Sequence, residues 1–281
     1  MILFKKAGDL SNWLETQRKN NLQIGFAPTM GALHPGHLSL IVSSKEQNDI
    51  TVASIFVNPT QFNDPKDFEK YPVTIEKDID LLEKAGCDVL FLPDTKEIYP
   101  AGTSAGKQYD LGFLETVFEG KFRPGHFQGV CMVVERLLII VEPDNLYLGQ
   151  KDYQQCMVIT RLIELMGSAT NVNICPTLRE KDGLAMSSRN MRLSAEERET
   201  ATTIYKCLSL AKEKLSPGDM ASLKKEMQVL LERAGFRIDY AEIADARTLE
   251  IINEWDGKEK LVVLVAAFLN EVRLIDNMLL N

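Results

Sequence analysis

Two features of this sequence predict an α/β protein in which a larger domain precedes a smaller one. Strand patterns and helix patterns alternate from residue 22 to residue 175, which is typical of a parallel sheet with helices on both faces. After Pro176 a polar stretch follows, and then helical patterns come before strand patterns. We therefore predict a doubly wound, Rossmann-like parallel sheet domain at residues 1–176 and a smaller α+β domain at residues 177–281.

The first domain contains five short apolar runs that fit buried strands, separated by segments with helical spacing of apolar residues. In one of the helices Thr74 is the expected N-cap and Gly86 the expected stop. The predicted strands are Leu22–Ala27, Ile50–Val57, Asp88–Leu92, Asn145–Leu148 and Val172–Cys175. The predicted helices are Asp9–Lys19, Pro35–Gln47, Thr74–Ala85, Val130–Val141 and Tyr153–Met166.

The second domain shows two helical stretches and then two strand patterns. The helices, Ala195–Lys214 and Ala221–Arg233, are separated by a turn with the sequence Ser-Pro-Gly-Asp. The strand patterns are Asp239–Ala244 and the longer apolar run Leu261–Leu269. Helices followed by strands favour an α+β arrangement.

Composition indicates a globular protein in the cytoplasm. The 281 residues carry a net charge of -8, and 45% are hydrophobic and 26% charged. The acidic balance argues against general affinity for nucleic acid or membrane, and no apolar run is long enough to span a bilayer. The run Met1–Lys6 is too short for a secretory signal.

The cysteines are odd in number and widely spaced, so we expect reduced core residues: Cys87, Cys131, Cys156, Cys175 and Cys207.

The stretch Pro28–His37 joins the first strand to a helix and carries two of the three histidines. Gly31 and Gly36 allow close approach of a ligand to the backbone. The helix that starts near Pro35 directs its free amides and positive dipole end toward the space above the strand. The alternative is a loop turn with incidental histidines, but the strand–loop–helix context favours a seat for the phosphates of a nucleotide.

Other polar groups follow neighbouring strands, and the carboxyl ends of such strands meet at one edge of the sheet. Gln61 offers donors and acceptors to a ligand with hydroxyl and carboxylate groups, although its loop can equally be a turn. Arg123 either anchors an anion or lies in a loop that caps the next helix. After the fourth strand, Lys151 can meet phosphate or ribose, and Asp152 can cap the helix or bind a ribose hydroxyl. Gln155, one turn further on, faces the same way as Lys151.

The fifth strand is followed by Met186-Ser187-Ser188-Arg189. Its hydroxyls and guanidinium suit a polyphosphate, although Ser-Ser-Arg alone is more often a solvated turn. Together with His34 and His37, this loop resembles motifs of the nucleotidyltransferase superfamily related to class I aminoacyl-tRNA synthetases. Arg189 stands where a lysine is usual.

A tighter resemblance is to the pantothenate synthetase (pantoate–β-alanine ligase) family, and it runs in order from Pro28 to Asn277. Two positions depart from the family's common pattern: Gln150 stands where glutamate is frequent, and Leu178 where valine is frequent. The segments that carry the resemblance are Pro28–Gly31, Phe56–Pro59, Arg123–Phe127, Lys151–Gln155, Asp182–Asn190 and Arg273–Asn277.

The resemblance implies an ATP-dependent ligase that joins pantoate to β-alanine through a pantoyl-adenylate and releases AMP and pyrophosphate. It also implies Mg²⁺ with ATP, a homodimer, a cytoplasmic location and a second domain that forms a lid over the ATP site. His37 is the implied proton donor, with His34, Lys151 and Arg189 as further catalytic groups. Gln61 and Gln155 are implied for pantoate, with Gln61 also near β-alanine. The residues implied for ATP are Met30, Gly31, Ala32, Leu33, His34, Pro35, Gly36, His37, Gly149, Gln150, Lys151, Asp152, Leu178, Met186, Ser187, Ser188 and Arg189.

Two other functions use the same features. A nucleotidyltransferase that stops after AMP transfer would share the two histidines but would not need the amides Gln61 and Gln155. A non-catalytic nucleotide sensor would not need cations around a leaving pyrophosphate. No tight carboxylate cluster for a metal is evident, so Mg²⁺ is expected on the ATP phosphates and its protein ligands are left unassigned.

Overall fold

The structure, a computed structural model, describes residues 1–63, 65–103 and 107–281. It divides into two compact units. The larger unit comprises Met1–Gln150 and Gln154–Pro176, and the smaller comprises Lys151–Tyr153 and Thr177–Asn281. The grouping of Lys151–Tyr153 with the later residues differs from the predicted division at residues 176 and 177. The lid function of residues 177–281 stays a prediction.

A six-stranded sheet organises the larger unit, in the order β1-β4-β3-β2-β5-β6. Every pair of neighbouring strands is parallel. The order runs outward from β2 in both directions, and this reversal makes the sheet doubly wound. The strands are β1 (Ile2–Phe4), β2 (Ile24–Thr29), β3 (Ile50–Ile55), β4 (Val89–Phe91), β5 (Asn145–Gly149) and β6 (Asn171–Cys175).

Helices cover both faces of this sheet, because their apolar sides enter two separate cores. One core takes leucines of α1 together with apolar residues of α7 and α8, and the other takes residues of α2 and α4. Leu10 and Leu14 are fully buried, which stabilises the fold by about 1.5–3 kcal/mol for each side chain. The helices are α1 (Ala7–Lys19), α2 (Pro35–Gln47), α3 (Pro65–Glu69), α4 (Ile75–Lys84), α5 (Thr95–Ile98), α6 (Phe118–Phe122), α7 (His126–Val141) and α8 (Tyr153–Met166).

The smaller unit has its own core between an antiparallel sheet and helices. Its three-stranded sheet has the order β11-β10-β8, and two short strands, β7 and β9, pair separately. The predicted fold class is therefore confirmed for both parts of the chain. The elements are α9 (Ala195–Ala201), α10 (Thr203–Lys214), β7 (Gly218–Asp219), α11 (Ala221–Arg233), β8 (Arg237–Asp245), β9 (Glu254–Trp255), β10 (Leu261–Leu269) and β11 (Val272–Leu279).

One helix prediction is wrong in detail, and the predicted N-cap residue of α4, Thr74, is confirmed in position but lacks the expected side-chain bond. The helix predicted over residues 195–214 is interrupted at Thr202, whose hydroxyl donates to the Glu199 carbonyl at 2.7 Å and so competes with helical bonding. Thr74 does precede α4, but its side chain makes no capping bond there. Its hydroxyl donates instead to the carboxylate of Asp78 at 3.1 Å.

The five cysteines are buried and free, as the sequence predicts. Burial raises the pKa of Cys87 to about 11 and those of Cys131 and Cys207 to about 12, so these thiols stay protonated at neutral pH. In the described part of the chain, none of the helices has the length and apolar character that crossing a membrane requires.

Candidate active site

The candidate site of the larger unit begins where the strand order reverses. The neighbours β2 and β5 pair only at Gly25–Phe26 with Asn145–Leu146, so their ladder ends before their carboxyl ends. Ligands of doubly wound sheets bind in the crevice at such a switch point. The end of β2 leads into Met30–His37, and the end of β5 is Gly149.

Two histidines lie together at the start of α2. His34 is the N-cap residue, and its ring centroid lies 4.0 Å from that of His37. Nδ1 of His34 accepts a hydrogen bond from the Gly36 amide at 3.1 Å. Because Nδ1 is an acceptor, the neutral His34 ring carries its proton on Nε2. The His34 ring therefore has its donor at Nε2, close to the ring of His37 at the carboxyl edge of the sheet.

A buried carboxylate shapes the loop before these histidines. Asp78 of α4 is fully buried and accepts from the amides of Ala32 at 2.9 Å and Leu33 at 2.8 Å. Gly31 has a φ of 81°, and a Cβ there would lie 3.1 Å from the Asp78 carboxylate. A side chain at this position would thus be strained and crowded. The loop is fixed by α4, not only by its own sequence.

These bonds correct the idea that free backbone amides form the phosphate seat. The Gly31 amide donates to the Thr29 hydroxyl at 3.2 Å, and the His37 amide donates to the His34 carbonyl at 2.8 Å. The amides of Ala32, Leu33 and Gly36 also have acceptors within the protein. These five amides therefore already have acceptors within the protein.

Asp78→Ala is expected to lower the free energy of unfolding by about 2–6 kcal/mol. The change leaves two buried amides without an acceptor, and each such group costs about 1–3 kcal/mol. Urea denaturation measures the difference. The matched control is Asp80→Ala, because Asp80 lies on the same helix in an exposed pair with Lys84 and its removal costs at most about 0.5 kcal/mol. Equal losses in the two variants would contradict the anchoring role of Asp78.

Gln61 lies in the loop after β3 and contacts the loop after β2. Its amide nitrogen is 3.1 Å from the sulfur of Met30, and its amide oxygen accepts from Nδ2 of Asn58 at 3.0 Å. Asn58 is almost fully buried and accepts in turn from the hydroxyl of Tyr99 at 2.7 Å. Burial raises the pKa of Tyr99, which keeps this phenol protonated as a donor. The structure thus brings a residue predicted for pantoate beside one predicted for ATP.

The segment with the third histidine holds the backbone of Gln61. Nδ1 of His126 lies 2.7 Å from the Gln61 carbonyl, and Nε2 lies 3.1 Å from Nη1 of Arg123. Arginine only donates, so Nε2 accepts and the Nδ1 proton goes to Gln61. Arg123 also pairs with Glu119 at 3.3 Å. Neither predicted function of Arg123, anion anchor or simple helix cap, describes this support of the Gln61 loop.

The two glutamines at the start of α8 have different environments. Gln154 is buried, donates to the carbonyls of Leu114 at 2.7 Å and Val117 at 3.0 Å, and accepts from the Glu119 amide at 2.9 Å. Its amide is therefore structural. Gln155, the residue predicted to bind pantoate, is half-buried and lies one position further along the helix.

Within the smaller unit, Lys151 and Asp152 lie in a 3₁₀ turn directly after β5. Nζ of Lys151 is 3.4 Å from the carboxylate of Asp152, and the Lys151 side chain is 18% exposed. The Lys151 carbonyl accepts from Nδ2 of Asn277 at 2.9 Å. Asn277 belongs to the segment Arg273–Asn277, but its support of the Lys151 backbone was not predicted.

The Ser-Ser-Arg segment of the smaller unit is a second 3₁₀ turn, Ser188–Arg192, capped by Ser187. The Ser187 hydroxyl accepts from the Arg189 amide at 3.3 Å, and Ser188 is buried. Before the turn, the Leu178 carbonyl accepts from the Met186 amide at 3.0 Å. The predicted ATP residues Leu178 and Met186 are thus adjacent.

The residues that the structure describes contain no group of three or more His, Cys, Asp or Glu that could hold a metal ion.

Comparisons with known proteins agree over the whole length of the chain. The family model for pantoate-beta-alanine ligase matches residues 2–279. The pantothenate synthetase of Cytophaga hutchinsonii is 45% identical over 285 residues, covering 100% of this chain and 99% of that relative. The pantothenate synthetase of Caldicellulosiruptor bescii is 43% identical over 284 residues, with coverage of 100% and 99%.

Solved structures with the same architecture include two of these ligases. Pantothenate synthetase from Thermus thermophilus is 39% identical and superposes with a TM-score of 0.90 over 99% of both chains. Pantoate-beta-alanine ligase from Francisella tularensis, complexed with beta-gamma ATP and beta-alanine, is 38% identical with a TM-score of 0.84, covering 99% of this chain and 97% of that one. The chain therefore belongs to the pantoate–β-alanine ligase family, and it is a ligase that forms a carbon–nitrogen bond.

Proposed function

We propose that this ligase joins pantoate to β-alanine in two steps through a bound pantoyl-adenylate. In the first step a carboxylate oxygen of pantoate bonds to the α-phosphorus of ATP, and the bond to the bridging oxygen breaks to release pyrophosphate. In the second step the amine nitrogen of β-alanine bonds to the acyl carbon, AMP leaves with its oxygen, and the amine loses a proton. Pantothenate, AMP and diphosphate are the products.

The first step needs alignment and neutralisation of charge more than it needs a base. A carboxylate is already ionised at neutral pH, so pantoate can attack without losing a proton. Negative charge then accumulates around the α-phosphate and the leaving pyrophosphate. The imidazoles of His34 and His37, whose centroids lie 4.0 Å apart with their planes tilted by 32°, are suited to donate to these oxygens in a preorganised way.

The observation that carries the proposal is the contact between Gln61 and Met30. A thioether sulfur is a weak acceptor, so the Gln61 amino group can donate to an oxygen of pantoate in place of the Met30 sulfur at 3.1 Å at small cost, without rotation of the amide. The rest of Gln61 is rigid because Asn58 holds its amide oxygen and His126 its backbone. A rigid amide with one weakly held donor suits a hydroxy acid next to a nucleotide site.

Gln61→Ala is therefore expected to raise the KM for pantoate by about 10-fold or more, with little change in the KM for ATP. Loss of one hydrogen bond to a charged ligand costs about 1.5–3 kcal/mol, which is roughly a 10- to 150-fold effect. Steady-state assays with each substrate varied in turn measure both constants. Gln61→Glu, which keeps the shape but repels a carboxylate, should raise the pantoate KM further. An increase confined to the KM for ATP would assign Gln61 to the nucleotide.

Cationic and hydroxyl groups of the smaller unit are proposed to bind the ATP phosphates. Lys151 and Arg189 supply positive charge, and Ser187 and Ser188 supply hydroxyl donors. Mg²⁺ is proposed to arrive as part of the ATP substrate, because phosphate oxygens and water are its preferred ligands. Its function there is to offset charge on the phosphates.

The proposed reaction is tested by incubating the chain with ATP, Mg²⁺, pantoate and β-alanine and omitting each component in turn. AMP and pantothenate should appear only in the complete mixture, while pantoate-dependent exchange of pyrophosphate into ATP should persist without β-alanine. Exchange that does not depend on pantoate would refute the proposed first step. A chain that acts only as an AMP-transferring enzyme or a sensor would make no pantothenate.

We also propose that the ligase is a homodimer in the cytoplasm. The dimer rests on the family resemblance, and the location is supported by five buried, free cysteines, which suit a reducing compartment. Sedimentation equilibrium measures the assembly directly, and a mass near that of one 31.6 kDa chain at assay concentrations would contradict it.

A further inference from the structure

A short hairpin of the smaller unit leads into the Ser-Ser-Arg turn. Arg179 bridges to Ala185 in antiparallel fashion, and the Glu180 amide donates to the Leu184 carbonyl at 2.8 Å. Gly183 closes the hairpin with a φ of 93°, and a Cβ there would lie 2.0 Å from the ring of Tyr205. The hairpin is therefore packed closely against α10, and its position determines where Met186 begins.

One guanidinium fastens this hairpin to β11. Nη1 of Arg179 donates to one carboxylate oxygen of Asp276 at 2.6 Å, and Nη2 donates to the other at 3.0 Å. The same nitrogens donate to the carbonyls of Gly183 and Asn277, both at 3.1 Å. The guanidinium carbon also lies 5.0 Å from the centre of the Tyr205 ring. A planar group with this many partners fixes the orientation of the hairpin.

Asp276 is suited to hold that guanidinium because it is enclosed. Its side chain is 3% exposed and accepts, besides Arg179, the backbone amide of Asn277 at 2.8 Å. Burial raises the pKa of the Asp276 carboxyl, and the Arg179 guanidinium opposes that rise. Breaking a buried ion pair is strongly destabilising, so the Arg179–Asp276 pair holds the hairpin in one position on β11.

The next residue along β11 holds Lys151. Asn277 is 2% exposed, and its Nδ2 donates to the Lys151 carbonyl at 2.9 Å. Consecutive residues of a strand point to opposite sides, so Asp276 and Asn277 reach different segments of the chain. The strand β11 therefore contacts both the hairpin that precedes Met186–Arg189 and the backbone of Lys151. These segments all belong to the smaller unit.

We propose that Arg179, Asp276 and Asn277 are positioning residues for adenylate formation. They hold the Lys151 backbone and the start of the Ser-Ser-Arg turn in register on β11, so that the cations and hydroxyls assigned to ATP act together. The proposal rests on the proposed function, since it concerns that reaction's first step. Displacement of a charged group by about 1 Å can cost up to about 10²-fold in rate.

The test uses Asn277→Asp, which turns an acceptor toward the Lys151 carbonyl, and Asn277→Ala, which removes the donor without adding charge. The matched control is Asn281→Ala, because Asn281 also donates to a backbone carbonyl, that of Glu259, at 3.0 Å. Pyrophosphate exchange with ATP and pantoate reports the first half-reaction. Pantothenate formation from preformed pantoyl-adenylate and β-alanine reports the second. Folding of each variant is checked by circular dichroism.

Both Asn277 variants should slow the exchange by about 10- to 100-fold and raise the KM for ATP, while the second half-reaction and the KM for β-alanine stay within about twofold of wild type. Arg179→Lys, which keeps the charge but loses the planar fork, should show the same split. Unchanged exchange, equal slowing of both half-reactions, or failure of both Asn277 variants to fold would each overturn the positioning role. A wild-type chain without pantoate-dependent AMP formation would instead refute the proposed function.

Discussion

His37→Ala is expected to lower the rate of pantoyl-adenylate formation by about 10²–10³-fold while the protein stays folded. Removing one preorganised donor from a developing negative charge typically has an effect of this size. His37 is half-buried in the first turn of α2, and the amides of Gly36 and His37 already have acceptors, so neither of these two donors can replace its side chain. Pyrophosphate exchange in the presence of pantoate measures the rate.

Two further variants separate chemistry from folding in α2. His37→Gln keeps an N–H donor on a side chain of similar reach and should recover part of the lost rate. Val42→Ala changes a residue of the same helix that is 47% exposed, and it should leave the exchange unchanged. Near-normal exchange by a folded His37→Ala protein would exclude His37 from the first step.

The sequence predicts most of the fold because periodic patterns are local. The helices Pro35–Gln47, Tyr153–Met166 and Ala221–Arg233 and the strand Leu261–Leu269 begin and end at the predicted residues. In each of them the apolar spacing and the flanking turn residues favour the same element. The parallel order of the larger sheet follows in turn from the alternation of strands and helices.

Four of the described strands were not predicted: the two-residue strands β7 and β9, and the strands β1 and β11, which were missed for different physical reasons. β1 has only three residues, and Ile2 and Leu3 are more than 40% exposed at the edge of the sheet, so it has no alternating pattern. In β11, the polar residues Asp276 and Asn277 interrupt the apolar pattern although both are buried. They are tolerated because Arg179 and Lys151 satisfy them, and such distant partners leave no periodic signal.

The same distinction applies to the candidate site. Some of its residues belong to local sequence motifs, and others are held by residues that lie far away in the chain. The histidine pair, Gln61 and the Ser-Ser-Arg turn are visible as motifs, since each follows a strand end or precedes a turn. Asp78 lies 46 residues from the Ala32 amide that it binds, and His126 lies 65 residues from Gln61. A carboxylate on the apolar face of α4, in line with Ile75 and Leu82, was the signal available for Asp78.

Arg189→Ala is expected to slow adenylate formation by about 10²–10³-fold and to leave the second half-reaction from preformed pantoyl-adenylate largely unchanged. Pyrophosphate leaves in the first step, so a cation that neutralises it has no charge to stabilise when β-alanine attacks. Rapid-quench measurement of each half-reaction separates the two effects. The amide of Arg189 is already bound by the Ser187 hydroxyl, and truncation of the side chain keeps that contact.

The matched control for Arg189 is Arg192→Ala, because both arginines belong to the 3₁₀ turn Ser188–Arg192 but only Arg189 is assigned to ATP. Removing Arg192 should affect neither half-reaction by more than about twofold, since its half-buried side chain is not assigned to ATP and surface charges contribute little to stability. Arg189→Lys should recover part of the first half-reaction, because it restores the charge but not the paired donors. Equal slowing of both half-reactions by Arg189→Ala would show that its side chain maintains the turn and does not neutralise pyrophosphate.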